Sequence, residues 1–405
     1  MYQFLPRFIR ANASLAVFAF LATALSGFGQ TFFISVFGSG IRAEFNLSNA
    51  DYGTYYSLAT LAAALVLLRT GTIVDRWSLS ASTTFALALL AASCLILGLS
   101  GHWLLLFPGF FLGRLGGQGM MTHIGFTTAS RYFDRDRGKV MALTVSGLPA
   151  AEAILPAVAG LVLAAHGWRT PWLGAAAILL LLAIPGMRWL CRDARHPENL
   201  HTSETESGST TSLTRRQALK DPGLYLLLPG ALAVPFTVTA LLFHQTAIAE
   251  IRGWSLSLVS LAFSGYAAGH FLTLFIAGPL VDRIGARRAL ILGLFPMIGG
   301  LLVMAASSAA WTPFAYLGMT GLSQGSAGTA ANSLWPERYG IRHIGAIRSL
   351  AHAAMVMSTA AAPALAGLAL DAGVSPSGLG LILAGGTMAA SLLMLLAPER
   401  PRLPR

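Results

Sequence analysis

The chain has 405 residues, of which 55% are apolar and only 11% charged, and a formal net charge of +11. Soluble domains carry about a quarter charged residues, so a water-dissolved globular fold is excluded. The excess of basic residues is dispersed between apolar stretches rather than gathered on one patch, which argues for membrane topology and against nucleic-acid binding.

Crossing a hydrocarbon core of about 30 Å takes around 20 helical residues, so charge-free stretches mark candidate spans. In chain order the first runs over residues 11–41 and the second over 52–68. Arg7 and Arg10 before the first run, with Ala22-Thr23-Ala24 inside it, imitate a secretory signal, but the run is too long for one. Residues 77–130, interrupted only by Arg114, are long enough for two spans that turn near Gly101. A fifth span, 140–168, is interrupted only by Glu152, and 170–187 makes a sixth.

Residues 191–221 are expected to form a cytoplasmic linker with a Ser/Thr-rich core at 201–214. It separates an N-terminal six-helix bundle, 1–190, from a C-terminal one, 222–405. The second half offers spans at 222–249 and 253–281, a hairpin at 289–336 turning near Ser308, and spans at 349–370 and 372–398. Because lipid cannot satisfy backbone polar groups, and the period-2 alternation of a membrane barrel is missing, the expected class is an all-α polytopic protein of twelve helices. Placing both termini in the cytoplasm puts 23 of the 27 Lys and Arg on that side, leaving Arg42, Arg169 and Arg252 outside and Arg114 within the membrane.

The halves match at an offset of 207 residues. Gly71, Val74, Asp75 and Arg76 correspond to Gly278, Val281, Asp282 and Arg283; Arg131, Tyr132, Arg135 and Gly138 correspond to Arg338, Tyr339, Arg342 and Gly345; Pro156 and Gly160 return as Pro363 and Gly367. A shared register for Asp-Arg, Arg-Tyr and proline positions identifies an internal duplication, a common construction in membrane transporters.

The string Gly278-Pro-Leu-Val-Asp282-Arg283-Ile-Gly285-Ala-Arg287-Arg288 resembles the signature loop of the major facilitator superfamily, Gly-x-x-x-Asp-Arg-x-Gly-x-Arg-Arg. Its first-half counterpart keeps Gly71, Asp75 and Arg76 but continues Trp77-Ser78, without the later glycine and basic pair. Arg114 followed by Gly116, Gly117, Gln118 and Gly119 is similar to the family's fourth-helix pattern. Arg131-Tyr132-Phe133 through Lys139, and Trp335-Pro336-Glu337-Arg338-Tyr339-Gly340, resemble the monocarboxylate and oxalate-formate branch. The resemblance implies a secondary transporter in a bacterial-type inner membrane, monomeric, without cofactor, whose partners are a small-molecule substrate, protons and lipid.

Arg114 and Glu152 are the formally charged residues deep within expected spans, where a charge costs several kcal/mol. One reading makes Arg114 a ligand for a substrate carboxylate or a modulator of proton affinity, with Glu152 carrying a coupled proton. The other makes them a buried pair that fixes packing. His123, His244, His270 and His352 also fall in or near spans without metal spacing. The branch resemblance suggests a cationic substrate contact on the eighth helix, where His270 is the candidate; a packed neutral histidine is the alternative. Gln30, Gln118, His244, Gln245, Gln324 and Asn332 lie on helices that line the central cavity in this superfamily, and equally serve as interhelical hydrogen-bonding groups. Gly71, Asp75, Arg76, Gly278, Asp282, Arg283, Arg287 and Arg288 are expected to act in gating. There a carboxylate near a neighbouring helix's amino terminus would gain from its dipole, and the glycines would permit close approach.

The expected function is transport of a small organic anion by alternating access, proton-coupled or by exchange. The alternative is proton-driven export of a hydrophobic or cationic compound, with aromatic and Met side chains as an adaptable pocket. No nucleophile and base constellation, metal site or phosphate loop suggests an enzyme. Cys94 and Cys191 indicate neither a disulfide framework nor a metal cluster.

Overall fold

A computed structural model describes residues 13–70, 76–133, 136–192, 213–340, 342–399 and 401. They build twelve helical rods. The first, α1, comprises Ala13–Leu25, Ser26–Gly29, Thr31–Ile34, Ser35–Phe37 and Gly38–Phe45. It is followed by α2 (Asn49–Thr70), α3 (Leu79–Gly98), α4 (Leu106–Gly113, Arg114–Met121 and Thr122–Arg131), α5 (Arg137–His166) and α6 (Arg169–Leu190). The second set is α7 (Pro222–Phe243 with Gln245–Arg252), α8 (Leu256–Ile284), α9 (Ala286–Ala306), α10 (Thr312–Tyr339), α11 (Ile344–Asp371) and α12 (Pro376–Leu396).

Among the described residues, eight helices are long and apolar enough to cross a membrane, and the bent α1 makes a ninth. The other three rods, α2, α4 and α10, are less apolar for a common reason: they carry polar groups that are turned inward. Tyr52, Tyr56 and Thr60 on α2, Arg114 on α4, and Thr320 and Ser323 on α10 are all buried. Average hydropathy therefore understates how well these rods suit lipid, because part of their polar character lies on the faces they bury.

Contacts divide the chain into two compact units, Met1–Ser203 and Glu204–Arg405. In the first, α1 bends by 42° at Gln30, which is extended with φ −91° and ψ 157°. The bend sits against α4, where Arg114–Met121 winds as a π-helix, a wider form that recurs at functional sites. Glycine permits this crossing: a Cβ on Gly117 would lie 2.7 Å from Gly29 Cα and 2.9 Å from Ser26 O. Aromatic rings fill the neighbouring core, with Trp172 of α6 5.0 Å from Phe33 and 4.6 Å from Phe37, ring centre to ring centre.

In the second unit α7 is interrupted at His244, so the first helix of each unit is broken. Where α7 begins, Asp221 is fully buried and accepts from Gly223 N–H (3.1 Å), Tyr339 Oη (2.9 Å) and Arg338 Nε (2.9 Å). Arg338 Nη1 also reaches Pro398 O at 2.7 Å, and Leu213 N–H donates to Tyr339 O at 2.9 Å. One buried ion pair thus fastens the chain entering α7 to the ends of α10 and α12.

Two of the three arginines expected on the opposite side work as staples. Arg169, at the start of α6, bonds Glu44 at the end of α1 and the Ser100 carbonyl after α3. Arg252, at the end of α7, bonds Met304 O of α9 and Ser377 Oγ of α12, both at 2.8 Å. The three helix ends joined are equivalent in the two units, but the guanidinium is supplied by the sixth helix in one and the first in the other.

Two outcomes test this packing. Gly117→Val should abolish the monodisperse peak in fluorescence-detected size exclusion, while Gly328→Ala, whose Cβ would meet no atom within 4 Å, should leave it unchanged. Asp221→Asn should cost about 3–5 kcal/mol, because it leaves the Arg338 charge buried without its carboxylate, and should lower the melting temperature well beyond a substitution of exposed Asp282.

Candidate substrate site and signature loop

Arg114 is 3% exposed at the first residue of the π segment. Its Nη1 faces Gly29 O and Thr31 Oγ1, each at 3.5 Å, and its Cζ lies 5.3 Å from the centre of the Tyr56 ring. Thr31 Oγ1 and Tyr56 Oη share a hydrogen bond of 2.7 Å. Arg114 Nε has no hydrogen-bond partner among the described residues. The contacts described around this buried cation are carbonyl, hydroxyl and aromatic face: groups that orient a guanidinium without neutralising it. The chain can place them there because the α1 break at Gln30 leaves the Gly29 carbonyl facing Arg114 and brings Thr31 to α4.

Gln30 and Gln118 are half-buried, the former at the break and the latter one turn beyond Arg114. Glu152 is 2% exposed on α5. Unit 1 so gathers Arg114, Thr31 and Tyr56 around one helix crossing. Thr31 and Tyr56 are uncharged and common in apolar helices, so nothing in composition or motif singled them out.

In unit 2, His244 Nε2 donates to Pro363 O at 2.7 Å, a bond that fixes the ring across the α7 break. Gln245 Nε2 donates to Tyr316 Oη, and Gln245 Oε1 is buried without an acceptor role filled among the described residues. His270 is buried on α8 with its ring 6.1 Å from that of Tyr266. Gln324 is half-buried, whereas the Asn332 side chain is exposed and its backbone carbonyl accepts from Arg348 Nη2 at 3.0 Å. His123 and His352 are exposed. Among the described residues no group of three or more His, Cys, Asp or Glu could hold a metal ion.

Of the expected gating residues, Gly71 and Asp75 lie outside the described residues, and Arg76 is exposed. Asp282, Arg283 and Arg288 are exposed, and Arg287 Nη2 donates to Leu395 O at 2.7 Å. A Cβ on Gly278 would meet no atom within 4 Å, so in this conformation the position does not need glycine for close approach. The carboxylate seated at the amino terminus of α9 is Glu337 of α10, whose Oε1 and Oε2 lie 3.2 and 3.0 Å from Ala286 N. The favourable meeting of a carboxylate with a helix dipole thus exists at the signature loop, with Glu337 rather than Asp282 supplying the charge. Glu337 and Arg338 stood in a string that marked lineage; their contacts give that string a structural purpose.

The family described as Major Facilitator Superfamily matches residues 19–247 and again residues 234–405. No curated protein matches the sequence significantly. Among solved structures, the chain is similar to a bacterial homologue of the human lysosomal transporter Spinster in an inward-facing, unoccupied conformation, with a TM-score of 0.68, 16% identity, and 95% of this chain and 94% of that chain covered. The same homologue in an inward-facing, occupied conformation gives a TM-score of 0.68 and 16% identity over 97% of this chain and 94% of that one. Identity at this level speaks for the fold alone. Two family matches that together span both units, on an all-helical duplicated framework, establish that this multi-pass membrane protein belongs to the major facilitator superfamily and is a transporter rather than an enzyme.

Proposed function

We propose that the protein carries a small organic anion, in the simplest case a monocarboxylate, by alternating access, coupled to protons or by exchange. The observation that carries this reading is the Arg114 guanidinium, buried in a membrane span with the Gly29 carbonyl, Thr31 and Tyr56 about it. A permanent charge in such a place is costly, and an anionic ligand repays part of the cost each time it binds. Glu152, buried on the adjacent α5, is the proton carrier in this scheme, and Gln30, Gln118, His244, Gln245, His270, Gln324 and Asn332 are candidates for the polar lining. The moving bodies are residues 1–190 and 222–405, with both termini in the cytoplasm of a bacterial-type cell, working as a monomer. The signature loop and its Glu337 cap stabilise one state of the cycle.

A second reading, export of a hydrophobic or cationic compound, is favoured by one feature. Unit 2 holds a cavity of about 320 Å³ between α7, α11 and α12, with Leu232, Phe236, Ile382 and Leu383 in its walls. An apolar cavity of this kind suits a greasy ligand and offers no charge to an anion.

Uptake into proteoliposomes under an imposed pH gradient separates the readings. The anion reading expects carboxylate uptake that an inward proton gradient stimulates, with the stimulation lost in Glu152→Gln while exchange between internal and external substrate persists. Undiminished proton coupling in Glu152→Gln removes that residue's role, and saturable flux of a cationic dye in place of a carboxylate favours export.

A further inference from the structure

A guanidinium presents five N–H groups in one plane and docks a carboxylate through two parallel bonds, which demands that the plane be held in a defined orientation. Arg114 has a long, flexible stem, and its protein acceptors hold it weakly: both Nη1 contacts are 3.5 Å, longer than the ordinary 2.7–3.2 Å of an N–H···O bond. Tyr56 orients the plane further, with its ring beneath Cζ at 5.3 Å and its side chain hydrogen-bonded to the guanidinium. That ring is tied down by the 2.7 Å bond between Tyr56 Oη and Thr31 Oγ1, and Thr31 also meets Nη1. Tyr56 is fully buried, and its edge packs on Phe110 with ring centres 5.6 Å apart, so neither end of the tyrosine is loose. The cradle occupies one face and the Nη1 corner of the guanidinium. The Nε corner is buried with its hydrogen unspent.

Resting on the reading that Arg114 receives the substrate's charge, we infer that Tyr56 and Thr31 are positioning residues: they fix the plane of Arg114 so that its Nε side is kept for the carboxylate. A carboxylate side chain in place of either would hold the guanidinium more firmly, but it would also discharge it. A tyrosine face with a hydroxyl pair orients the cation and leaves its charge available. This role lies on α1 and α2, beside the fourth-helix glycine pattern that carries Arg114 itself, and it makes the α1 break part of substrate recognition because the break is what brings Thr31 to α4.

The test uses full-length protein in proteoliposomes, with radiolabelled benzoate, lactate and acetate as probes. Tyr56→Phe keeps the ring and loses the hydroxyl pair, and Thr31→Val loses the same pair from the other side. Each should raise KM about threefold to tenfold, the range of one hydrogen bond, with kcat within about twofold. Thr31→Ser, which retains the hydroxyl, should restore the original KM, and Tyr56→Leu, which removes the aromatic face as well, should raise KM further. A purely structural role would lower the melting temperature and the inserted yield without moving KM. Should Tyr56→Leu fail to insert, the near-isosteric Tyr56→Phe and Thr31→Val still decide the matter. Unchanged KM in both of these, beside lost uptake in Arg114→Gln, overturns the positioning role and leaves the anion reading intact. Wild-type uptake of none of the three probes, or full uptake by Arg114→Gln, overturns the anion reading and the positioning role with it.

Discussion

The organisation of the first unit follows from a single electrostatic constraint: a guanidinium that cannot lose its proton is held inside a segment that lipid surrounds. Burial of such a charge is unfavourable by several kcal/mol unless the protein supplies compensating groups. Here the compensation is partial and specific. A broken first helix supplies a carbonyl and a threonine, the second helix supplies an aromatic face, and a glycine-rich π segment on the fourth lets the backbones approach closely enough for all three to meet. None of these groups carries a negative charge, which is the feature that the proposed anion substrate would use.

The duplication gives two units with the same plan and different chemistry. Both interrupt their first helix, and both staple the far ends of their first, third and sixth helices with one arginine. The first unit buries a permanent cation within α4 and uses π-helical turns in α4 and α6, whereas the corresponding α10 and α12 are regular and the buried polar groups of the second unit's α7 and α8 include His244, Gln245 and His270 beside threonine and serine hydroxyls. Groups of this second kind can hold a polar ligand through hydrogen bonds without a standing charge in lipid. At the other end of the second unit, the permanent charges that are buried come as a closed set, Asp221 with Arg338, which fits anchoring rather than ligand exchange.

The sequence made the spans legible because charges are so rarely tolerated in lipid that their spacing alone marks the helices. The turns expected near Gly101 and Ser308 fall between α3 and α4 and between α9 and α10. Arg114 and Glu152 were visible by the same logic, as exceptions. The partners of Arg114 were not: Thr31 and Tyr56 are unremarkable by composition, and they acquire meaning only through a helix break at Gln30 that no proline announces. Asp221 read as the last residue of a polar linker, since nothing local reveals that it is fully buried beneath Arg338 and Tyr339. The signature loop identified the family, yet the carboxylate at its helix terminus came from Glu337, distant in sequence and brought there by the packing of α10 on α9.

The central claim is that the buried Arg114 charge awaits an anion, and the most direct measurement compares a carboxylate with its uncharged isostere on the purified protein. A ligand that binds the folded state raises its melting temperature in proportion to the logarithm of its concentration over Kd. Benzoate should raise the melting temperature progressively and benzamide should not, and the benzoate shift should vanish in Arg114→Gln. Equal shifts for benzoate and benzamide, or a benzoate shift that survives Arg114→Gln, would contradict the account.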